Sequence, residues 1–303
     1  MIKSILHDPP LNFSNQQDFG SGIHQVARRS ALSYDEFARN YLWLRRPVIL
    51  SDAIEAWPAN GKWTPNFFKT RYATKEVTID GRTYQVGNLI DLINASTSEN
   101  PAPYLRAQKL VELFPDLASD IEPTPHYSLP NWLTSHYLPN QVRRSAMAEV
   151  LIGGKGASFH VLHWDKNHLH AFVSQLYGQK EFFIYSPEQT AYLYPKADAP
   201  NQSQVDIHKP DYDRFPLFKQ ADPIRVMVEP GETIFVPSGW WHTTLMPGPS
   251  ISITWNLGNG SNWADFTKDN QYRLDKYKIP LLASAFGLYS SGFSRFKSLK
   301  DKA

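Results

Sequence analysis

The chain has no cysteine among its 303 residues. Disulfides, cysteine-ligated zinc, iron–sulfur clusters and thiol catalysis are therefore excluded, and any metal site must be built from histidine and carboxylate. Long apolar runs are missing as well. The longest, IPLLASAFGLY (279–289), is too short to span a bilayer. The opening MIKSILHDPPLNFSNQQDFG lacks the apolar h-region and small-residue cleavage pattern of a signal peptide. These absences predict a soluble, cytoplasmic protein with no membrane partner. Excess charge is lacking too: 31 basic and 29 acidic residues leave a formal +2. That balance is too even to require a nucleic-acid partner. Repeats and low-complexity segments are absent.

What is present reads as ordinary globular protein, with 42% hydrophobic and 20% charged residues. Three zones follow one another. In the first, SYDEFARNYLW (33–43) carries a Ser cap with Glu three residues on, the mark of a helix start. RPVILSDA (46–53) reads as a short buried strand, TPNFFKTRYA (64–73) as a second capped helix, and EVTIDGRTYQV as a hairpin turning at Asp-Gly. The middle zone, about 150–258, is strand-rich. There HAFVSQLYG and QKEFFIYSP are expected to form a hairpin around Gly178, and SISITWNL alternates polar and apolar residues. The stretch 195–222 reads as a long connection of the kind that often contacts substrate. After Asn262 the pattern is helical, interrupted by Pro280.

Four of the ten histidines lie within 160–170, in SFHVLHWDKNHLHAF. A metal that activates dioxygen cannot be fully enclosed by protein; two imidazoles and one carboxylate on one octahedral face leave three positions open. A strand places residues i and i+2 on one face, so His163 and Asp165 satisfy the spacing. The third ligand must come from elsewhere, and His242 stands 77 residues beyond Asp165 in PGETIFVPSGWWH. A regular strand running on from His163 would point His168 and His170 to the other face. His126, His136 and His208 are expected to be structural. Trp240 shares parity with His242 and faces the site, while Trp241 is expected to pack outward. On SISITWNL, Ser252, Thr254 and Asn256 share one face, with Ile251, Ile253 and Trp255 on the other.

The segments HWDKNHLHAFVSQLYGQKEFFIYSPEQTAYLYP, SQVDIHKPDYDRFPLF, EPGETIFVPSGWWH and SISITWN together resemble the JmjC/cupin-like Fe(II)- and 2-oxoglutarate-dependent oxygenases. Within them they are most similar to the hydroxylases typified by factor inhibiting hypoxia-inducible factor and the tRNA wybutosine hydroxylase. RPVILSDAIEAWPANGKW (46–63) resembles the family's N-terminal segment. The resemblance implies a mostly β fold with flanking helices: a double-stranded β-helix (cupin/jelly-roll) core with C-terminal helices. It divides the chain into an arm (1–30), a catalytic domain (31–262, metal-binding core 150–258) and a helical segment (263–303).

The resemblance further implies Fe(II) held by His163, Asp165 and His242, with 2-oxoglutarate as co-substrate. Lys180, in the G-x-K pattern GQK, would pair with the far carboxylate of the co-substrate, because a buried lysine needs an anion. Asn256 occupies the amide position of the closing strand, and Tyr104 in PYLRAQ resembles a tyrosine that hydrogen-bonds the co-substrate. Two positions depart from the family pattern. His160 stands where Thr is usual, and Gln175 is the polar residue on the strand where the family often has Asn. Both are expected to remodel the co-substrate pocket. The implied activity is hydroxylation of a C–H bond in a protein or peptide side chain. Hydroxylation of a small molecule or a tRNA base, and a non-catalytic metal- or ligand-binding cupin, are the alternatives. The C-terminal helices are expected to form a homodimer interface, with capping of one barrel end as the other role.

Overall fold

The computed structural model describes residues 23–301 other than residue 160. His160 and most of the expected N-terminal arm thus lie outside the described residues. In chain order the strands are β1 (Ala27–Arg29), β2 (Val48–Leu50), β3 (Glu76–Ile79), β4 (Arg82–Gln85), β5 (Leu105–Lys109), β6 (Glu149–Gly153) and β7 (His170–Tyr177). They continue with β8 (Lys180–Tyr185), β9 (Ile224–Val228), β10 (Thr233–Val236), β11 (Trp241–Leu245) and β12 (Ser250–Leu257). A seven-stranded sheet has the order β1-β2-β10-β7-β12-β6-β5 and faces a three-stranded sheet β11-β8-β9. Apart from the parallel β1–β2 pair, the ladders of both sheets are antiparallel. Two facing antiparallel sheets with crossed connections are the expected double-stranded β-helix.

The local signals account for the first zone. Ser33 accepts from the Glu36 amide at 3.2 Å while Glu36 accepts from the Ser33 amide at 2.9 Å, closing the capping box. Thr64 caps the helix Pro65–Arg71. Asp80 and Gly81 both have positive φ, 47° and 80°, as a two-residue hairpin between β3 and β4 requires. The hairpin expected at Gly178 is not formed. β7 lies in the large sheet and β8 in the small one, so the chain switches sheets there. Gly178 has φ 65°, and a Cβ at this position would run into the Pro249 carbonyl, so only glycine lets the chain turn.

The large sheet separates two apolar clusters. Its outer face, with Ile152, Phe172, Leu176, Ile251, Ile253 and Trp255, packs under the helices Pro65–Arg71 and Val86–Asn94. Its inner face meets the small sheet through Ile49, Leu151, Val173 and Ile234 against Phe182, Ile184 and Val226. A third cluster, including Leu162, Trp164, Tyr185, Phe215 and Trp241, covers the small sheet with the 195–222 connection. Trp241 therefore packs outward, whereas Trp240 is buried between the sheets and donates to the Arg45 carbonyl at 2.7 Å. The C-terminal helices, Trp263–Lys276 and Pro280–Lys300, pack through Trp263, Phe266 and Phe293 onto Trp132, Leu133 and Leu169. Pro280 opens the second helix, where its missing N–H costs nothing. No helix among the described residues is long and apolar enough to cross a membrane.

Candidate metal and co-substrate site

His163 and His242 face each other as a hydrogen-bonded antiparallel pair. The His163 amide donates to the His242 carbonyl at 3.1 Å, and the reverse bond is 2.7 Å. Their ring centroids are 4.5 Å apart. In both rings Nδ1 lies against the carbonyl two residues earlier, Val161 at 2.9 Å and Trp240 at 3.1 Å. A carbonyl can only accept, so Nδ1 carries a proton in each ring, which leaves Nε2 as the nitrogen that could bind a metal. Ligand atoms of His163, Asp165 and His242 all lie within 4.8 Å of one another.

No hydrogen-bond donor reaches the Asp165 carboxylate among the described residues. The surrounding protein pushes its pKa up, with His242 opposing and Glu149 adding to the rise. A carboxylate left in that state is costly unless a cation joins it. Two imidazoles and one such carboxylate fit a divalent first-row metal with oxygen- and nitrogen-rich coordination.

The strand premise behind His163 and Asp165 requires correction. His163 makes isolated bridges rather than joining a continuous strand, and residues 166–168 form a tight turn. Asn167 and His168 both have positive φ, which breaks the alternation. The two further histidines still point away, for other reasons. His168 stacks on Trp164 with centroids 4.1 Å apart. Buried His170 accepts from the Ser238 amide at 2.9 Å and donates through Nε2 to Ser261 Oγ at 2.9 Å, and burial, with Arg45 adding to it, lowers its pKa and keeps it neutral. His126 lies exposed with Nε2 at 3.1 Å from the Leu32 carbonyl, and His208 contacts Ser158 Oγ at 2.9 Å.

Deeper between the sheets lies Lys180, 1% exposed and on the inner face of β8 with Phe182 and Ile184. Its ammonium donates to Ser252 Oγ on β12, so it bridges the two sheets. Burial lowers its pKa to about 7, and no carboxylate offsets that among the described residues. A buried ammonium whose one hydrogen-bond partner among the described residues is a hydroxyl is the complement of a bound anion. The Tyr104 ring centroid is 5.9 Å from Lys180 Nζ, and burial raises the Tyr104 pKa. Asn256 faces inward with Ser252 and Thr254, its amide donating to the His170 carbonyl at 3.3 Å.

Gln175 is fully buried, and its Nε2 ties down Tyr177 O, Gly178 O and Ser250 Oγ at 2.7–2.9 Å. This side chain braces the sheet switch, while its Oε1 has no hydrogen-bond partner among the described residues. Sequence reasoning did not find the Lys180–Ser252 pairing. Alternation placed Ser252 on the inner face, but which residue faced it depended on how the two sheets meet.

A double-stranded β-helix with a His-x-Asp…His cluster defines the class. The family model described as a cupin-like domain matches residues 34–256, and the chain belongs to that family. Among its relatives, "Lysine-specific demethylase JMJ21" of Arabidopsis thaliana is 29% identical over 78% of this chain and 26% of its own length. "Lysine-specific demethylase 8" of Xenopus tropicalis is 27% identical over 74% of this chain and 51% of its own. "2-oxoglutarate and iron-dependent oxygenase JMJD4" of Gallus gallus is 25% identical over 92% and 72%. The chain thus spans about a quarter to a half of the first two.

Proposed function

We propose that this chain is an Fe(II)- and 2-oxoglutarate-dependent dioxygenase that hydroxylates a C–H bond of a protein or peptide side chain. The observation that carries this reading is the pairing of two features in one barrel. Three ligand atoms cluster within 4.8 Å at its mouth, and a buried lysine without a carboxylate partner among the described residues lies inside. When bound, iron(II) and 2-oxoglutarate together supply an oxidant made from dioxygen, which inserts one oxygen atom into a C–H bond. In this reading His163, Asp165 and His242 hold the metal. Lys180, oriented by Ser252, pairs with the far carboxylate of the co-substrate, and Tyr104 and Asn256 line its pocket.

The names of the relatives support both halves of the reading. One is named for iron and 2-oxoglutarate, and two are named for demethylation of lysine, a protein side chain. Insertion of oxygen into an N-methyl C–H gives a carbinolamine that loses formaldehyde, so one chemistry serves both outcomes. The near-even charge is a poor match for RNA, whose phosphates call for a basic face.

A peptide library incubated with the protein, Fe(II) and 2-oxoglutarate in air, then read by mass spectrometry, tests the proposal. A gain of one oxygen that requires 2-oxoglutarate is expected. Loss of a methylene mass would redirect the reading to demethylation, and no change in any peptide would contradict a protein substrate.

The same proposal includes a homodimer through the C-terminal helix. Leu281, Leu288 and Leu299 are 86%, 78% and 72% exposed on Pro280–Lys300, an apolar display that a second copy would cover. A monomeric mass by light scattering at micromolar concentration would overturn it.

A further inference from the structure

The Asp165 carboxylate receives no hydrogen bond among the described residues, so its direction depends on how its backbone is anchored on either side. Upstream, Trp164 is held at both its peptide groups by Asn201: its amide donates to the Asn201 carbonyl at 3.1 Å, and its carbonyl accepts from Asn201 Nδ2 at 3.2 Å. Downstream, beyond Lys166, two successive turn residues are unusual. Asn167 and His168 have φ of 62° and 49°, a left-handed pair with no glycine in it. Two consecutive side-chain-bearing residues hold that conformation only when their surroundings over-determine it.

The constraint comes from the C-terminal segment, about a hundred residues away. Asp269, buried on the helix Trp263–Lys276, accepts from the Asn167 amide at 2.9 Å. Asn262, 1% exposed just before that helix, donates to the His168 carbonyl at 2.9 Å. Each partner is itself fixed. Arg273 donates to the same Asp269 oxygen at 3.1 Å, and Asn262 Oδ1 accepts from the Asn259 amide at 2.9 Å. Ser261, between them in sequence, accepts from His170 two residues beyond the turn. One short stretch, 259–269, therefore holds the chain at three successive points behind a metal-ligand position.

We propose that Asp269 and Asn262 are positioning residues for Asp165, setting through the left-handed turn the direction in which its carboxylate meets the metal. The proposal rests on the metal reading given above. It makes the C-terminal helix part of the site without any of its side chains touching the ion.

The test compares three full-length variants with the natural chain, reading Mn(II) affinity by calorimetry and the visible d–d spectrum of the Co(II)-loaded protein. Asp269→Asn keeps an oxygen that can accept from the Asn167 amide, so its Mn(II) affinity and Co(II) spectrum should match those of the natural chain. Asp269→Ala removes the acceptor and should weaken Mn(II) by about 10–100-fold, the range for lost support around metal ligands, with an altered Co(II) spectrum. Asn262→Ser leaves Asp269 in place, shortens the other tie and should weaken Mn(II) in the same direction.

Natural affinity in both Asp269→Ala and Asn262→Ser would overturn the proposal. So would equal weakening in Asp269→Asn and Asp269→Ala, or a loss of near-ultraviolet tertiary signal in Asp269→Ala with natural affinity in Asn262→Ser. Asp165→Ala in the same assay separates the two levels. If the natural chain does not bind Mn(II), or binds no better than Asp165→Ala, the metal reading itself falls.

Discussion

On β12, Ile251, Ile253, Trp255 and Leu257 enter the apolar core under the N-terminal helices, whereas Ser252, Thr254 and Asn256 face the space between the sheets. The outer face follows the ordinary economics of burial: Phe172 stacks on Trp255 with centroids 5.4 Å apart and meets Phe235 and Phe37. The space that the inner face lines also receives Lys180 from β8, the Gln175 oxygen from β7 and the Asp165 carboxylate, polar groups where hydrocarbon would be more stable. One strand thus serves two regions under opposite rules. The outer face stabilises the fold, and the polar part of the interior costs some stability that, in the proposed function, bound ligands would offset.

The comparison breaks if outer-face changes damage binding or inner-face changes damage the fold. The largest effect should come from Phe172→Ala, which opens a cavity in the outer core. It should cost about 3–5 kcal/mol in urea unfolding, while the protein that remains folded binds metal normally. Asp165→Ala should do the reverse. Its Mn(II) affinity should fall by at least about 100-fold, beyond what lost outer-shell support costs, with unfolding stability of the apo chain unchanged or raised. Calorimetry and urea titration on the same samples check both.

Lys180→Met keeps an unbranched side chain of similar volume, one atom shorter, and removes the charge. Binding of 2-oxoglutarate, measured by calorimetry in the presence of Mn(II), should weaken by about 10–100-fold, the worth of a hydrogen bond to a charged group. Apo stability should hold or rise, because a buried unpaired ammonium disappears. The smallest effect concerns pH. Burial places the Lys180 pKa at about 7 in the apo fold, below its unfolded value. Between those two values the unfolded chain binds more protons, so apo stability should rise as pH increases above 7. Pairing with a carboxylate needs the protonated form, so 2-oxoglutarate affinity should fall as pH rises above 7, by no more in total than the loss expected for Lys180→Met. A dissociation constant independent of pH across this range would separate Lys180 from the co-substrate.

Much of this was legible in the sequence. His163 and Asp165 stood out by their i, i+2 spacing and His242 by its PGE…WWH surroundings, and the alternation of SISITWNL is a local property of any strand. Lys180 was legible only through the GQK pattern, since a lysine beside a turn ordinarily faces water. The sheet switch at Gly178 was misread because a hairpin and a crossover share the same local signal. What differs is whether Tyr177 and Lys180 pair with each other or with strands far away. The left-handed turn at Asn167 and His168 was invisible for a related reason. Neither residue favours that conformation enough to announce it, and the groups that impose it lie at Asp269 and Asn262.

The central claim is that one barrel interior holds a metal and a dicarboxylate together. Its most direct test is anaerobic addition of Fe(II) and then 2-oxoglutarate, followed by visible absorption. A weak charge-transfer band should appear only when both are present, and should be lost in Asp165→Ala and in Lys180→Met at sub-saturating 2-oxoglutarate. A natural chain that binds Fe(II) and yields no such band at saturating 2-oxoglutarate would contradict the account.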